Sequence, residues 1–116
     1  MHEGGHRVDA EPPYYAVIFT SRRSGEDDEG YAEASSRMME LATAMPGFLG
    51  VDSAREDVGI TVSYWRDIDA IKAWKRDAGH MLAQGEGRDR WYDAYRLRIT
   101  KVERDYGFTR EDTMAL

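Results

Sequence analysis

The chain has 116 residues, a formal net charge of −6 and no cysteine. That length fits one domain with a modest core. Without thiols there are no disulfides, thiolate metal sites or thiol nucleophiles, which fits a reducing, cytoplasmic setting. The acidic balance argues against a nucleic-acid partner, which needs a basic patch, and no run approaches the length of a membrane span. Three Trp, seven Tyr and six Met stand beside a complete lack of asparagine, an aromatic supply suited to interfaces and apolar ligand pockets.

Residues 1–13 read as a flexible tail of glycines and charges without an apolar period. His2 and His6 lie in it without a third ligand, so no metal site is read there. "YYAVIFTSRR" reads as a first strand, bounded by Pro12–Pro13 and Ser24–Gly25. Tyr15, Val17 and Phe19 alternate with Tyr14, Ala16 and Ile18, so both faces are apolar and both need cover. Tyr31, Ala34, Met38, Leu41, Ala42 and Met45 then recur at helical spacing. The acids from Glu26 to Glu29 suit the positive end of that helix, and Pro46–Gly47 stops it.

"FLGVDSARE" and "GITVSYW" read as a hairpin turning near Glu56–Gly59, with Ile60, Val62 and Tyr64 alternating with Thr61, Ser63 and Trp65. Asp67 is placed to cap a second helix whose apolar stripe is Ile68, Ile71, Trp74, Ala78, Met81 and Leu82. Gly79 inside it predicts a kink or break near residues 77–79. "GEGRDRWYDAY" reads as a loop with at most one helical turn, and "YRLRITKVERDYGF" as the last strand. Val102 falls out of phase with Tyr95, Leu97 and Ile99, which predicts a bulge there. Residues 14–107 form the domain, and 108–116 a C-terminal tail.

The order β-α-β-β-α-β is that of a ferredoxin-like α+β fold with a four-stranded antiparallel sheet. Two helices cover one face of such a sheet, and a second copy of the chain is the simplest cover for the other, so a homodimer is expected.

At this point "MPGFLGVD" and "ITVSYWRDIDAIKAWKRDAGHMLAQ" resemble the antibiotic biosynthesis monooxygenase family of dimeric α+β barrels. The resemblance rests on the Pro46–Gly47–Phe48 junction and on a strand ending in Trp65 followed by Trp74 on the next helix. It covers roughly residues 14–107. It implies a dimeric barrel and one of three activities. Some members are cofactor-independent monooxygenases of polycyclic phenols and anthrones, some degrade haem, and some have no established chemistry. In the haem branch the counterpart of Trp74 lies against the porphyrin, but the axial histidine falls where this chain has Gln84, and the first strand supplies an asparagine that this chain lacks. Haem, ligated by His80 from an earlier helical turn, is therefore the disfavoured alternative.

The residues themselves carry no nucleotide fingerprint, since the glycines of "GEGRDR" do not follow a strand in a βαβ unit. No cofactor is expected. Oxygen activation without one draws its electrons from the substrate and needs a base, an oxyanion donor and a dry aromatic pocket. His80 is the candidate base, and Gln84, one turn on, the group that orients a substrate oxygen. Trp65, Trp74, Phe48, Tyr15 and Phe19 are the candidate walls of a pocket for a small aromatic ligand. Tyr92 and Tyr95 are candidate phenolic hydrogen-bonding groups, and Arg22 or Arg98 a cationic contact. The competing reading gives the tryptophans to the core, divides the tyrosines between core and interface, and makes the protein a non-catalytic ligand-binding or stress-response dimer.

Overall fold

Pro46 and Gly47 set the first geometric constraint, because the chain must turn from helix to strand within three residues. The structure, a computed structural model, describes residues 8, 10–84 and 90–110, with side chains in the second helix described as far as Gly79. Its elements are β1 (Tyr14–Arg23), α1 (Asp28–Ala44), β2 (Phe48–Arg55), β3 (Gly59–Trp65), α2 (Ile68–Gln84) and β4 (Tyr92–Val102). Gly47 has a φ of +89°, and a Cβ on it would lie 2.8 Å from the Cβ of Ala70. Its carbonyl accepts a 2.8 Å hydrogen bond from Arg66 N. Glycine is thus required twice, for its backbone angle and for the close approach of α2.

The strands form one antiparallel sheet in the order β2-β3-β1-β4. This is the ferredoxin-like α+β arrangement. Both helices lie on one face, where Ala42 of α1 and Ile71 of α2 meet Val17 and Trp65. Pairing sets that inner face out in rows across the sheet. Phe48, Trp65, Tyr15 and Lys101 form the first, and Val51, Ser63, Val17 and Ile99 the second. Ser53, Thr61, Phe19 and Leu97 form the third, and Arg55, Gly59, Ser21 and Tyr95 the fourth. The outer face carries Ile18, Ile60 and Val62 with the exposed Arg96 and Arg98. One corner of it is closed by the chain itself, where buried Tyr14 donates to the Asp105 carboxylate.

Asp67 does cap α2, accepting from Ala70 N at 2.8 Å. Three local expectations need correction. α2 runs unbroken through Gly79, since a glycine within a ladder of i→i−4 bonds costs stability without interrupting them. β4 starts at Tyr92, so Tyr92 to Tyr95 are strand and not loop, and it stops at Val102. The bulge lies at the other end of β4: Asp93 is the extra residue opposite Arg22–Arg23, while Val102 pairs in register with Tyr14.

The two glycines give opposite expectations. Gly47→Ala should destabilise the fold by about 1–3 kcal/mol through left-handed strain and the clash with Ala70. A Cβ at Gly79 meets nothing within 4 Å, so Gly79→Ala should stabilise it by about 0.5–1 kcal/mol. Urea unfolding of the two variants measures both.

Candidate functional site

Trp65 is fully buried at the end of β3, with its ring centroid 5.4 Å from those of Phe48 and Trp74. Its indole N–H donates to Ser63 Oγ at 2.9 Å, so no polar group is stranded there. Beyond this aromatic row the inner face of β2 and β3 narrows to Ser53, Thr61, Ser63 and Gly59. Helices held apart by the tryptophans cannot collapse onto such small side chains, and a cavity of about 520 Å³ is left between helices and sheet. That is within the range of small-molecule sites.

Phe48, Trp74, Phe19 and Tyr92, each named as a pocket wall or hydrogen-bonding group from the sequence, line this cavity. Tyr95 does too. Trp65 and Tyr15 do not: Trp65 is a core residue, and Tyr15, opposite it in the first row, packs on the same cluster. The proposed cationic contacts are also displaced, because Arg22 and Arg98 alternate onto the outer face. Among the described residues, Arg55 and Lys75 are the cations that line the cavity, with Tyr31, Met38 and Met39 of α1. Arg55 was legible in principle, since it is in phase with Val51 and Ser53 on an inner-facing strand. His80 and Gln84 are positions of α2 whose side chains lie outside the described residues.

The indole nitrogen of Trp74 is buried without a hydrogen-bond partner, on a residue that forms the cavity wall. An unpaired buried donor costs about 1–3 kcal/mol, which a ligand oxygen would recover. Across the cavity, Phe19, Tyr92 and Tyr95 pack ring against ring at 5.4–5.7 Å, and Tyr31 meets Tyr92 edge-on at 5.7 Å. Burial first, and the neighbouring Tyr31 next, push the Tyr92 phenol well above its ordinary value, against a weaker downward pull from Arg55 and Arg23. Tyr92 therefore stays a neutral phenol, hydrogen-bonded to Tyr31. No group of three metal-ligating side chains occurs among the described residues. The described lining residues include no imidazole, and the side chain of His80, the candidate iron ligand, lies outside them.

This wall depends on the start of α1. Asp27 caps the helix from a left-handed backbone, accepts from Gly30 N at 3.2 Å, and accepts from the Trp91 indole at 3.1 Å. Trp91 in turn packs edge-on against Tyr31. A Cβ on Gly30 would collide with the Asp27 carboxylate, so the clasp requires glycine there.

Fold and site together define a class: a ferredoxin-like α+β domain with an aromatic pocket between its helices and the inner face of its sheet. The chain belongs to the antibiotic biosynthesis monooxygenase family, whose model matches residues 14–86. It is 53% identical to the uncharacterised protein YqjZ of Bacillus subtilis over 96 residues, 81% of this chain and 83% of that one. It is 27% identical over 92 residues to a jasmonate monooxygenase of Pyricularia oryzae, covering 76% of this chain and 43% of the relative. Among solved structures, a variant of SnoaB, a cofactor-independent oxygenase from Streptomyces nogalater, superposes with a TM-score of 0.65 at 14% identity, covering 79% of this chain and 95% of that one. A variant of MhuD with two manganese protoporphyrin IX molecules per active site superposes with a TM-score of 0.63 at 18% identity, covering 81% and 99%. At these identities the two structures speak to the fold alone.

The Asp27 clasp makes stability depend on pH. The Trp91 hydrogen bond first, and that from Gly30 N next, hold its carboxyl below the ordinary 3.8. Between the lowered value and 3.8 the unfolded chain binds more protons than the folded one, so stability rises with pH in that window. The contribution is complete above it and is lost as the pH falls through it. Thermal melts from pH 6 down to pH 2.5 should show this loss in the wild type, and a shallower acid slope in Asp27→Asn.

Proposed function

We propose that this protein is a cofactor-independent monooxygenase that oxidises a small, flat, electron-rich aromatic substrate of phenol or anthrone type in the cavity. The observation that carries the reading is the unpaired Trp74 N–H on the wall of a chamber rich in aromatic and apolar side chains. Family membership supports the reaction type. For a diaryl methylene the balance is Ar2CH2 + O2 → Ar2C=O + H2O. Both hydrogens leave the carbon, one oxygen atom stays on it, and the other departs as water. The substrate supplies every electron, starting from its deprotonated form.

The chain's part is to bind, orient and exclude water. Aromatic walls hold the substrate flat, and the low-dielectric surroundings strengthen hydrogen bonds to a developing oxyanion. Trp74 Nε1 is its donor, with the Tyr92 phenol beside it on the wall. His80 is the proposed base that takes the substrate proton, and Gln84 a proposed orienting group.

We also propose that the protein is a homodimer through the outer sheet face. β3 turns Ile60 and Val62 away from the helices, and Ile60 is 45% exposed. A second sheet would cover them.

Oxygen uptake with dithranol, in air and under argon, tests the reaction. Uptake should match product formation, and His80→Ala should slow turnover about 10²-fold or more if the imidazole is the base. Trp74→Phe keeps the ring and removes the donor, with an expected loss of about 10²-fold. Binding without oxygen uptake would establish the non-catalytic reading instead. A Soret shift on titration with haemin at stoichiometric protein would favour the haem alternative, in line with the porphyrin-bound neighbour. Sedimentation equilibrium should give a dimer for the wild type and a monomer for the doubly substituted Ile60→Lys, Val62→Lys protein.

A further inference from the structure

The chain carries more acids than bases, 22 against 16, yet none of the described residues lining the cavity is an aspartate or glutamate. Its only charged lining residues among those described are Arg55 and Lys75. Arg55 is also held in a particular pose. It ends β2 in the fourth row of the inner face, opposite Gly59, and its side chain crosses β3 to donate to Ser21 Oγ on β1. The crossing needs Gly59, since any Cβ there would fall on the guanidinium. Ser21, the anchor, is buried. Arg23, Arg37, Arg76 and Arg90 each stand within ion-pair distance of a carboxylate. Arg55 has no such partner among the described residues.

We infer that the cavity selects an anionic ligand, an aromatic or otherwise apolar carboxylic acid, whose carboxylate is held by Arg55 while its apolar body lies against Trp74 and Phe19. The inference rests on the cavity being the substrate site, and it names the class of molecule that site takes. A guanidinium laid flat over a glycine presents its remaining N–H groups as a fork, the geometry that matches a carboxylate with two parallel bonds. Lys75, on α2 above, adds a second positive charge at the cavity. An acid-free lining removes the repulsion that the rest of this acidic surface would impose on an anion. The polar and apolar ends of the ligand are thereby fixed, which orients it relative to the Trp74 donor.

Isothermal titration at pH 7 and low salt with 2-naphthoate, 2-naphthamide and 2-naphthylmethylammonium tests this. The acid should bind at least tenfold more tightly than the isosteric amide, and the cation most weakly. Arg55→Met should bring the acid to the affinity of the amide and leave the amide unchanged. Arg55→Lys should keep part of the preference, because it keeps the charge but not the fork. Circular dichroism checks that both variants are folded. If the amide binds as tightly as the acid, or the preference survives Arg55→Met, the anionic class is overturned and the cavity reading stands. If no probe binds the wild type, the cavity reading falls with it.

Discussion

The indole of Trp65 lies between Phe48 and Trp74 and satisfies its one polar atom on Ser63, two residues back along the same strand. Everything on the helix side of the sheet is measured from this aromatic stack. It sets the spacing between α2 and β3, and with Ala42, Ile71 and Val17 it makes the closed part of the core. On β2 and β3 the inner face runs from large rings at one end to small side chains at the other, and the cavity lies over the small ones. Protein interiors are normally packed without such voids, which is why the cavity is the place where a ligand is proposed to bind.

The polarity of β3 follows from the same constraint. A half-buried strand ordinarily turns its apolar residues toward the helices, but here Thr61 and Ser63 face inward while Ile60 and Val62 face outward. Trp65 at the strand's end accounts for it: placing that residue in the core forces every second position before it onto the same side. The helix-facing side can then be small and partly polar because it borders a cavity. The outer side is left with the apolar residues, which is why the proposed dimer and the proposed pocket are two consequences of one register.

The walls of the cavity come from distant parts of the chain. Asp27 joins the cap of α1 to Trp91 just ahead of β4, and so holds Tyr31 against Tyr92. Arg55 reaches across β3 to Ser21 on β1. Each contact also explains a glycine, Gly30 in the first case and Gly59 in the second, by the space a side chain would occupy. In neither does the glycine take a left-handed backbone, in contrast to Gly47.

Periodicity, capping residues and the Pro46–Gly47 stop were enough to determine element order, sheet class and most boundaries, because these depend on neighbours within a few residues. The aromatic walls Phe48, Trp74 and Phe19 were also legible, as large apolar residues on inward-facing positions. What only the tertiary structure decided was the division of labour among similar residues. Trp65 and Trp74 look equivalent as sequence, yet one fills the core and the other borders the cavity, since that depends on what packs above each ring. Arg22, Arg55 and Arg98 are alike as charges, and strand register alone put Arg55 on the cavity side. Gly79 and Val102 read as breaks from local rules, but the helix ladder runs on through the first and pairing with Tyr14 keeps the second in register. Local chemistry specifies the elements, and only the crossing of strands that are distant in sequence specifies which side chains share a space.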